Sequence, residues 1–423
     1  MAVFFKKLGL VFTDGKLLRR LGFVFLALLA FRVLASIPIP GVDAVQLEQF
    51  FSSNQLFGFL NIFSGGGLSA LSIVMLGVGP YITASIILQV LTIVFPALKS
   101  MYQEEGEIGR KKFNQYGRLL TVPLAFIQGF SFLFLLESQG VVTSLSVFDF
   151  AMNLIVIVSG SLLLMWIGEL ITEFGIGNGI SLIIFAGIIS SLPSVVAQLV
   201  LSFDPSQIPL YVSFAVAALL VIYGVVLMTE AERPVPVTYA NRSRGGSSQN
   251  SVATYLPLRL NQAGVIPIIF ALSILLFPGL ILNFIAQANI AVVSGVAQTL
   301  LTIHGGAIIY GIFYFLLVFA FTFFYTAVTF DPNQMANNLQ KGGAFVPGVR
   351  PGGQTSEYLG RIITRITFVG AIFLGSVAVL PLIMQSLTGI TTLAIGGTAL
   401  LIAVSVILDL VRKIDAQISL REY

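Results

Sequence analysis

This sequence predicts an all-α polytopic membrane protein with ten transmembrane helices in two inverted five-helix halves. Three observations predict it. The 423-residue chain is 57% hydrophobic and 9% charged, with a mean hydropathy of +0.97. A soluble globular chain carries roughly 25% charged residues, so this one cannot clothe a water-facing surface of its size. Its apolar residues fall in continuous runs long enough to cross a bilayer. Of its 22 Lys and Arg residues, all but Arg32 fall in alternate gaps between those runs. Short loops rich in Lys and Arg stay cytoplasmic, so this one-sidedness orients the chain.

A span needs about 20 mainly apolar residues. The runs are Leu21–Ile37, Leu76–Phe95, Leu119–Leu136, Phe150–Ile167, Ile180–Leu201, Leu210–Met228, Val265–Ile285, Ala307–Phe330, Ile366–Met384 and Leu393–Leu410. They are unbroken, where a barrel strand would alternate apolar and polar over about 10 residues. The first run reads as a permanent span, because Ser36-Ile37-Pro38-Ile39-Pro40 follows it instead of a small-residue cleavage site. Ten crossings put both basic termini on the cytoplasmic side. Only the Gly168–Gly179 loop breaks the pattern, with Glu169 and Glu173 and no Lys or Arg. Acidic residues count little in this rule.

An odd number of spans per half inserts the second half upside down. The division falls at residues 1–201 and 202–423. The long loops occupy matching places, Pro38–Met75 outside after span one and Thr229–Gly264 inside after span six. Inverted repeats place a pathway at their interface near the bilayer midplane, hence two halves around a central pore. The outer loop holds an uncharged segment of small and apolar residues at 61–74, with Ser64, Gly65, Gly66, Gly67 and Leu68 at its heart. It is too short to span. Backbone of this kind at membrane depth is buried in protein or lines a cavity. It either plugs the mouth of the pathway or is a re-entrant turn that only packs.

Span two carries Val78, Ile82, Ser85 and Gln89 on one helical face. An amide within the hydrocarbon zone needs a partner or water. Asn261 and Gln262 before span seven lie at a similar depth. Either the amides glue two helices, worth about 0.6 kcal/mol on average, or they form a polar patch on a pathway. Arg32 in span one reads as structural, snorkelling or pairing with helix carbonyls. Trp166 and the tyrosines at span ends read as interfacial anchors.

Several chemistries are excluded. The chain has no Cys and a single His, His304, so thiolate catalysis and multi-His metal sites are absent. Gly175-Ile176-Gly177-Asn178-Gly179 follows no strand and leads into a span, so it is no nucleotide loop. Gly65-Gly66-Gly67 has no following Lys-Ser/Thr. Glu104, Glu105 and Glu107 stand beside Arg110, Lys111 and Lys112, which makes a solvated mixed-charge loop. Spans two to eight hold no interior Asp or Glu, against an ion-coupled transporter. The rivals at this point are a solute or ion transporter and a membrane-integral enzyme or insertase. The +4 net charge, concentrated on one side, argues for an acidic or anionic partner there.

The motifs resemble the SecY family of bacterial protein translocation channels. The resemblance rests on Phe63-Ser64-Gly65-Gly66-Gly67-Leu68, the stretch from Gly79 to Gln89, and Glu105-Gly106-Glu107-Ile108-Gly109-Arg110-Lys111-Lys112. It continues through Met165-Trp166-Ile167-Gly168-Glu169, the stretches Gly175–Ser181 and Leu256–Pro267, and Gly343–Gly352. It runs from about Leu18 to Asp409.

The resemblance implies a protein-conducting channel of the general secretory pathway in a bacterial inner membrane, with no catalytic residues, cofactor or metal. The segment at 61–74 is then a plug. Val78, Ile82, Ile180, Ile184, Ile269 and Ile402 form a pore ring, with Val78 smaller than the family's usual Ile. Spans two and seven form a lateral gate with Ser85, Gln89 and Asn261. Loops 229–260 and 331–365, with Arg242, Arg244, Arg259, Lys341 and Arg350, dock the ribosome and the SecA motor ATPase. The neutral stretch 245–251 departs from the Arg-richer family pattern. SecE and SecG subunits, signal-sequence-bearing preproteins and membrane lipid complete the expected partners.

Overall fold

The computed structural model describes residues 15–40, 61, 64, 66–68, 70–138, 140–142, 146–201, 205, 208–239, 253–261, 264, 266–275, 307–388 and 391–419. The helices within it are α1 Gly15–Ala35, α2 Gly79–Val94, α3 Pro96–Gln103, α4 Gly106–Ser138, α5 Val147–Phe174, α6 Gly179–Leu201 and α7 Ile208–Glu230. They continue with α8 Ile266–Leu275, α9 Ala307–Thr329, α10 Pro332–Lys341, α11 Gly353–Thr388 and α12 Thr391–Ser419. Each expected span coincides with one of these helices over all or part of its length. Five described helices are individually long and apolar enough to cross a membrane, and a sixth qualifies if α2 and α3 count as one. That pair bends by 113° at Phe95, where Pro96 interrupts the helix. The fold is thus that of an all-α polytopic membrane protein.

Several helices run beyond their expected spans at the basic end. α4 begins at Gly106 instead of Leu119, and α11 at Gly353 instead of Ile366. Thirteen residues of helix project about 20 Å past the apolar run. Charged residues such as Arg110, Lys111 and Lys112 are good helix formers, but their polarity hides the helix from a hydropathy reading.

Helix ends are set locally. Ser146 Oγ accepts from the Asp149 amide at 3.2 Å and starts α5. Asn178 Oδ1 accepts from Ile180 N and Ser181 N at 3.1 and 3.3 Å and starts α6. The glycine-rich motif around it is therefore the α5–α6 turn. Asp331 caps α10 the same way, followed by Pro332 in the first turn. Such caps contribute about 1 kcal/mol each.

The loop expected at 229–260 and the one after α10 contain a three-stranded antiparallel sheet of β1 Glu232–Tyr239, β2 Ala253–Arg259 and β3 Ala344–Phe345, in the order β2-β1-β3. Val235, Leu258 and Val346 pack it onto Leu359, Ile362, Ile363 and Ile366 of α11.

The largest apolar core draws on α1, α2, α5, α6, α7, α8, α9, α11 and α12. A second core joins Ile39, Leu68, Leu71 and Met75 to the end of α4 and the start of α5. Outside, Phe25, Leu26, Leu219, Leu220 and Ile308 are exposed. Apolar exposure on this scale suits a surface facing lipid.

Candidate functional site: an apolar waist, a glycine turn and a half-polar cleft

Five of the six expected ring residues, Val78, Ile82, Ile184, Ile269 and Ile402, are buried in the largest core. Ile180 is half-buried and packs against it. They come from the N-cap and first turn of α2, from α6, from α8 and from α12, so residues more than 300 positions apart in sequence share one apolar core, which also holds Phe31, Phe270, Tyr310 and Tyr314. Among the described residues no Asp, Glu, Lys or Arg is buried. Such a core gives an ion nothing to replace its hydration shell.

The segment after Asn61 is a self-closed turn. Ser64 Oγ donates to the Asn61 carbonyl and accepts from the Leu68 amide, both at 2.9 Å. The Gly66 amide donates to the Asn61 carbonyl at 2.8 Å, and the Ser72 amide to the Gly67 carbonyl at 2.8 Å. Residues 71–73 then pair with the exit of α1, Ile39 N donating to Leu71 O and Ile73 N to Ile37 O at 2.9 Å each. Leu68, Leu71 and Met75 point into the second core, against Phe132, Leu133 and Leu136 of α4. Val74 belongs to the core that holds the ring, and Ile73 packs against both cores. The turn therefore adjoins the ring through Ile73 and Val74, while its own leucines grip the α4–α5 pair. Gly65 lies outside the described residues.

α5 receives the end of this segment closely. Ser161 Oγ donates to the Gly77 carbonyl at 2.9 Å in a buried bond. At Gly160 a side chain would collide with the Ile73 carbonyl oxygen. Only hydrogen fits there.

A cleft of about 430 Å³ opens beside α2. Its lining mixes apolar Ile82, Ile184, Ile269 and Phe270 with polar Ser85, Gln89, Arg118 and Glu169. Arg118 Nε donates to Glu169 Oε1 at 2.7 Å, tying α4 to α5. The amide pair expected between Gln89 and Asn261 is not formed. Gln89 Oε1 and Asn261 Oδ1 are both buried without a hydrogen-bond partner among the described residues. A buried oxygen left unpaired costs about 1–3 kcal/mol.

The basic candidates separate. Arg259 Nε pairs with Glu232 Oε1 at 3.2 Å, directly across the β1–β2 register. Lys341 ends α10, where its charge complements the helix C-terminus. Arg350 is exposed on the turn between β3 and α11, its own carbonyl accepting from Thr355 Oγ1 at 2.9 Å. Arg242, Arg244, the 245–251 stretch, Gln262 and His304 lie outside the described residues. Sequence reasoning missed Gln103, whose side chain joins α3 to α9, because a lone Gln after a charged-loop helix carries no periodic signal.

Residues 72–411 match the family model described as SecY. The chain belongs to the SecY family. It is 40% identical to the protein translocase subunit SecY of Vibrio cholerae, over 97% of this chain and 93% of that one. The Escherichia coli K12 SecY is also 40% identical, with the same coverage, and that of Aquifex aeolicus 39%, over 95% and 94%. Among solved structures, one described as a protein-conducting channel aligns with a TM-score of 0.67 at 20% identity, covering 93% of this chain and 91% of the other. Sec61 in the canine ribosome-channel complex of the endoplasmic reticulum aligns at 0.64 and 19%, with the same coverage. These likenesses give the SecY fold to the whole arrangement of waist, turn and cleft.

Proposed function

We propose that this SecY-family chain is the channel subunit of a protein translocase. It passes unfolded polypeptide across the membrane and releases transmembrane segments sideways into lipid. The carrying observation is that Val78, Ile82, Ile184, Ile269 and Ile402 share one apolar core, while no described Asp, Glu, Lys or Arg is buried. A narrow aliphatic ring dewets and so blocks ions, yet it makes no demand on the sequence of a chain sliding through it. Hydrogen-bonding side chains there would hold polar segments and leak when idle.

In this reading the halves 1–201 and 202–423 are inverted repeats around the waist. Residues 61–74 are the plug, and Ser85, Gln89 and Asn261 mark the lateral gate. The two unpaired amide oxygens support the last assignment, because an entering signal sequence or water can satisfy what the resting protein leaves open. Both termini are cytoplasmic, in a bacterial inner membrane. The chain catalyses no reaction; the SecA motor ATPase or the elongating ribosome supplies the energy. Arg350, Lys341 and Arg259, with Arg242 and Arg244, face those partners, and SecE and SecG complete the channel.

The complex reconstituted in vesicles tests this reading. With SecA and ATP, a preprotein added outside becomes protected from protease. A complex that assembles but protects nothing, or that takes up a small solute without any motor, contradicts it.

A further inference from the structure

Arg32 is the one basic residue within an apolar run, and its tip lies beside the plug turn. A Cβ built on Gly66 would lie 3.4 Å from Arg32 Nη1 and 3.5 Å from Ser190 Oγ. Arg32 from α1 and Ser190 from α6 both approach the face of Gly66 that a side chain would occupy. Its φ of +83° calls for glycine, while a side chain there would only touch Arg32 and Ser190 at ordinary contact distance. Ser190 Oγ is itself fixed, donating to the Gly187 carbonyl at 2.7 Å. The turn carrying Gly66 is closed internally by Ser64, so it leaves its seat as one piece.

We infer that Arg32 is a latch that keeps the plug seated, with Ser190 of α6 as its neighbour on the same face of Gly66. The inference rests on the plug reading above. A guanidinium is a planar fork of five donors, and a glycine-rich turn presents main-chain carbonyls that no side chain shields. A cation at membrane depth is costly unless it finds such acceptors or water. Arg32 is exposed while Phe31 and Ala35 beside it are buried in the main core. The latch can therefore release: when the plug departs, the guanidinium faces open space instead of becoming a charge trapped in the core. The apolar grip of Leu68 gives the plug its place, and Arg32 gives it a polar catch that a translocating chain can outcompete.

The chain has no Cys, so an introduced one is a unique probe. Leu68 is 2% exposed in the seated plug. The intact complex carrying Leu68→Cys is reconstituted in vesicles, and ion conductance and modification by a membrane-impermeant maleimide are both read per assembled channel. Arg32→Met is expected to raise both by roughly ten-fold, the scale of losing a charge-assisted contact. Arg32→Lys, which keeps the charge and loses the fork, raises them less. Arg32→Gln, which keeps hydrogen-bonding reach and loses the charge, carries the test should Arg32→Met fail to assemble. Sealed, unlabelled channels in the assembled Arg32 variants overturn the latch. If deleting residues 64–72 nevertheless opens a leak, the plug reading survives that result; a deletion that leaves the channel sealed removes both.

Discussion

Gln103 Nε2 at the end of α3 donates to the carbonyl oxygen of Val328 on α9 at 2.9 Å. The two residues lie in opposite halves of the chain. Gln334 of α10 reaches back to the Gln103 carbonyl at 3.5 Å. α3 continues from α2, and the core packs Phe270 of α8 against Phe321 and Tyr325 of α9. The bond therefore clasps the two sides of the proposed lateral gate.

Removing that clasp makes the gate easier to open. Gln103→Leu loses one hydrogen bond, about 1 kcal/mol, which shifts an open-to-closed ratio roughly five-fold. Segments of marginal hydrophobicity then insert into lipid more often. Protease-protection assays on a graded series of segments check this; an unchanged threshold contradicts it.

Polar substitution at the waist breaks the seal. Ile82→Asn or Ile269→Asn puts an amide into the apolar core and offers water a foothold. The expected outcome is a several-fold rise in resting ion conductance, with a stability cost of about 1–3 kcal/mol for the buried polar group. Planar-bilayer recording on channels counted by label reads the first, and thermal unfolding in detergent reads the second.

The spans were legible because continuous apolar runs have one physical use at this length. The helical extensions of α4 and α11 were not, since their residues are polar and helix-forming at once. The β1–β2 hairpin was hidden by Pro234, Pro236 and Pro257, which argue against strands. The structure accommodates the first two because β3 pairs only with Thr238 and Tyr239, leaving β1's second edge at Pro234 and Pro236 without a described partner. The ring could be named only through the family resemblance. Val78 and Ile402 look like any other apolar residues until the fold brings them together. Arg32 was visible as an oddity and Gly66 as part of the uncharged segment, but their meeting was not.

Two adjacent residues on α5 separate packing from hydrogen bonding. Gly160→Ala forces a methyl onto the Ile73 carbonyl, and backbone cannot yield cheaply. It is expected to destabilise the assembled protein by about 3 kcal/mol or more. Ser161→Ala only deletes the bond to Gly77 and leaves that carbonyl unpaired, costing about 1–3 kcal/mol. Thermal unfolding of the two variants should rank them in that order.

Arg350→Glu reverses the charge on an exposed turn and leaves the packing of α11 intact. SecA-dependent export is expected to fall at least several-fold while assembly is normal. Arg259→Glu acts differently, because it also sets two carboxylates opposite each other at Glu232 and disturbs the hairpin. Export rate against complex yield distinguishes them: Arg350→Glu changes the first alone, Arg259→Glu changes both.

The most direct test places single cysteines at Ile82, Ile184, Ile269 and Ile402, one at a time, in this cysteine-free chain. A preprotein stalled halfway through carries the crosslinker. Adducts are predicted at all four positions, and none at the exposed Ile308 and Ile312 of α9. A stalled preprotein that reacts with α9's outer face and never with the four buried positions would show that polypeptide takes another route.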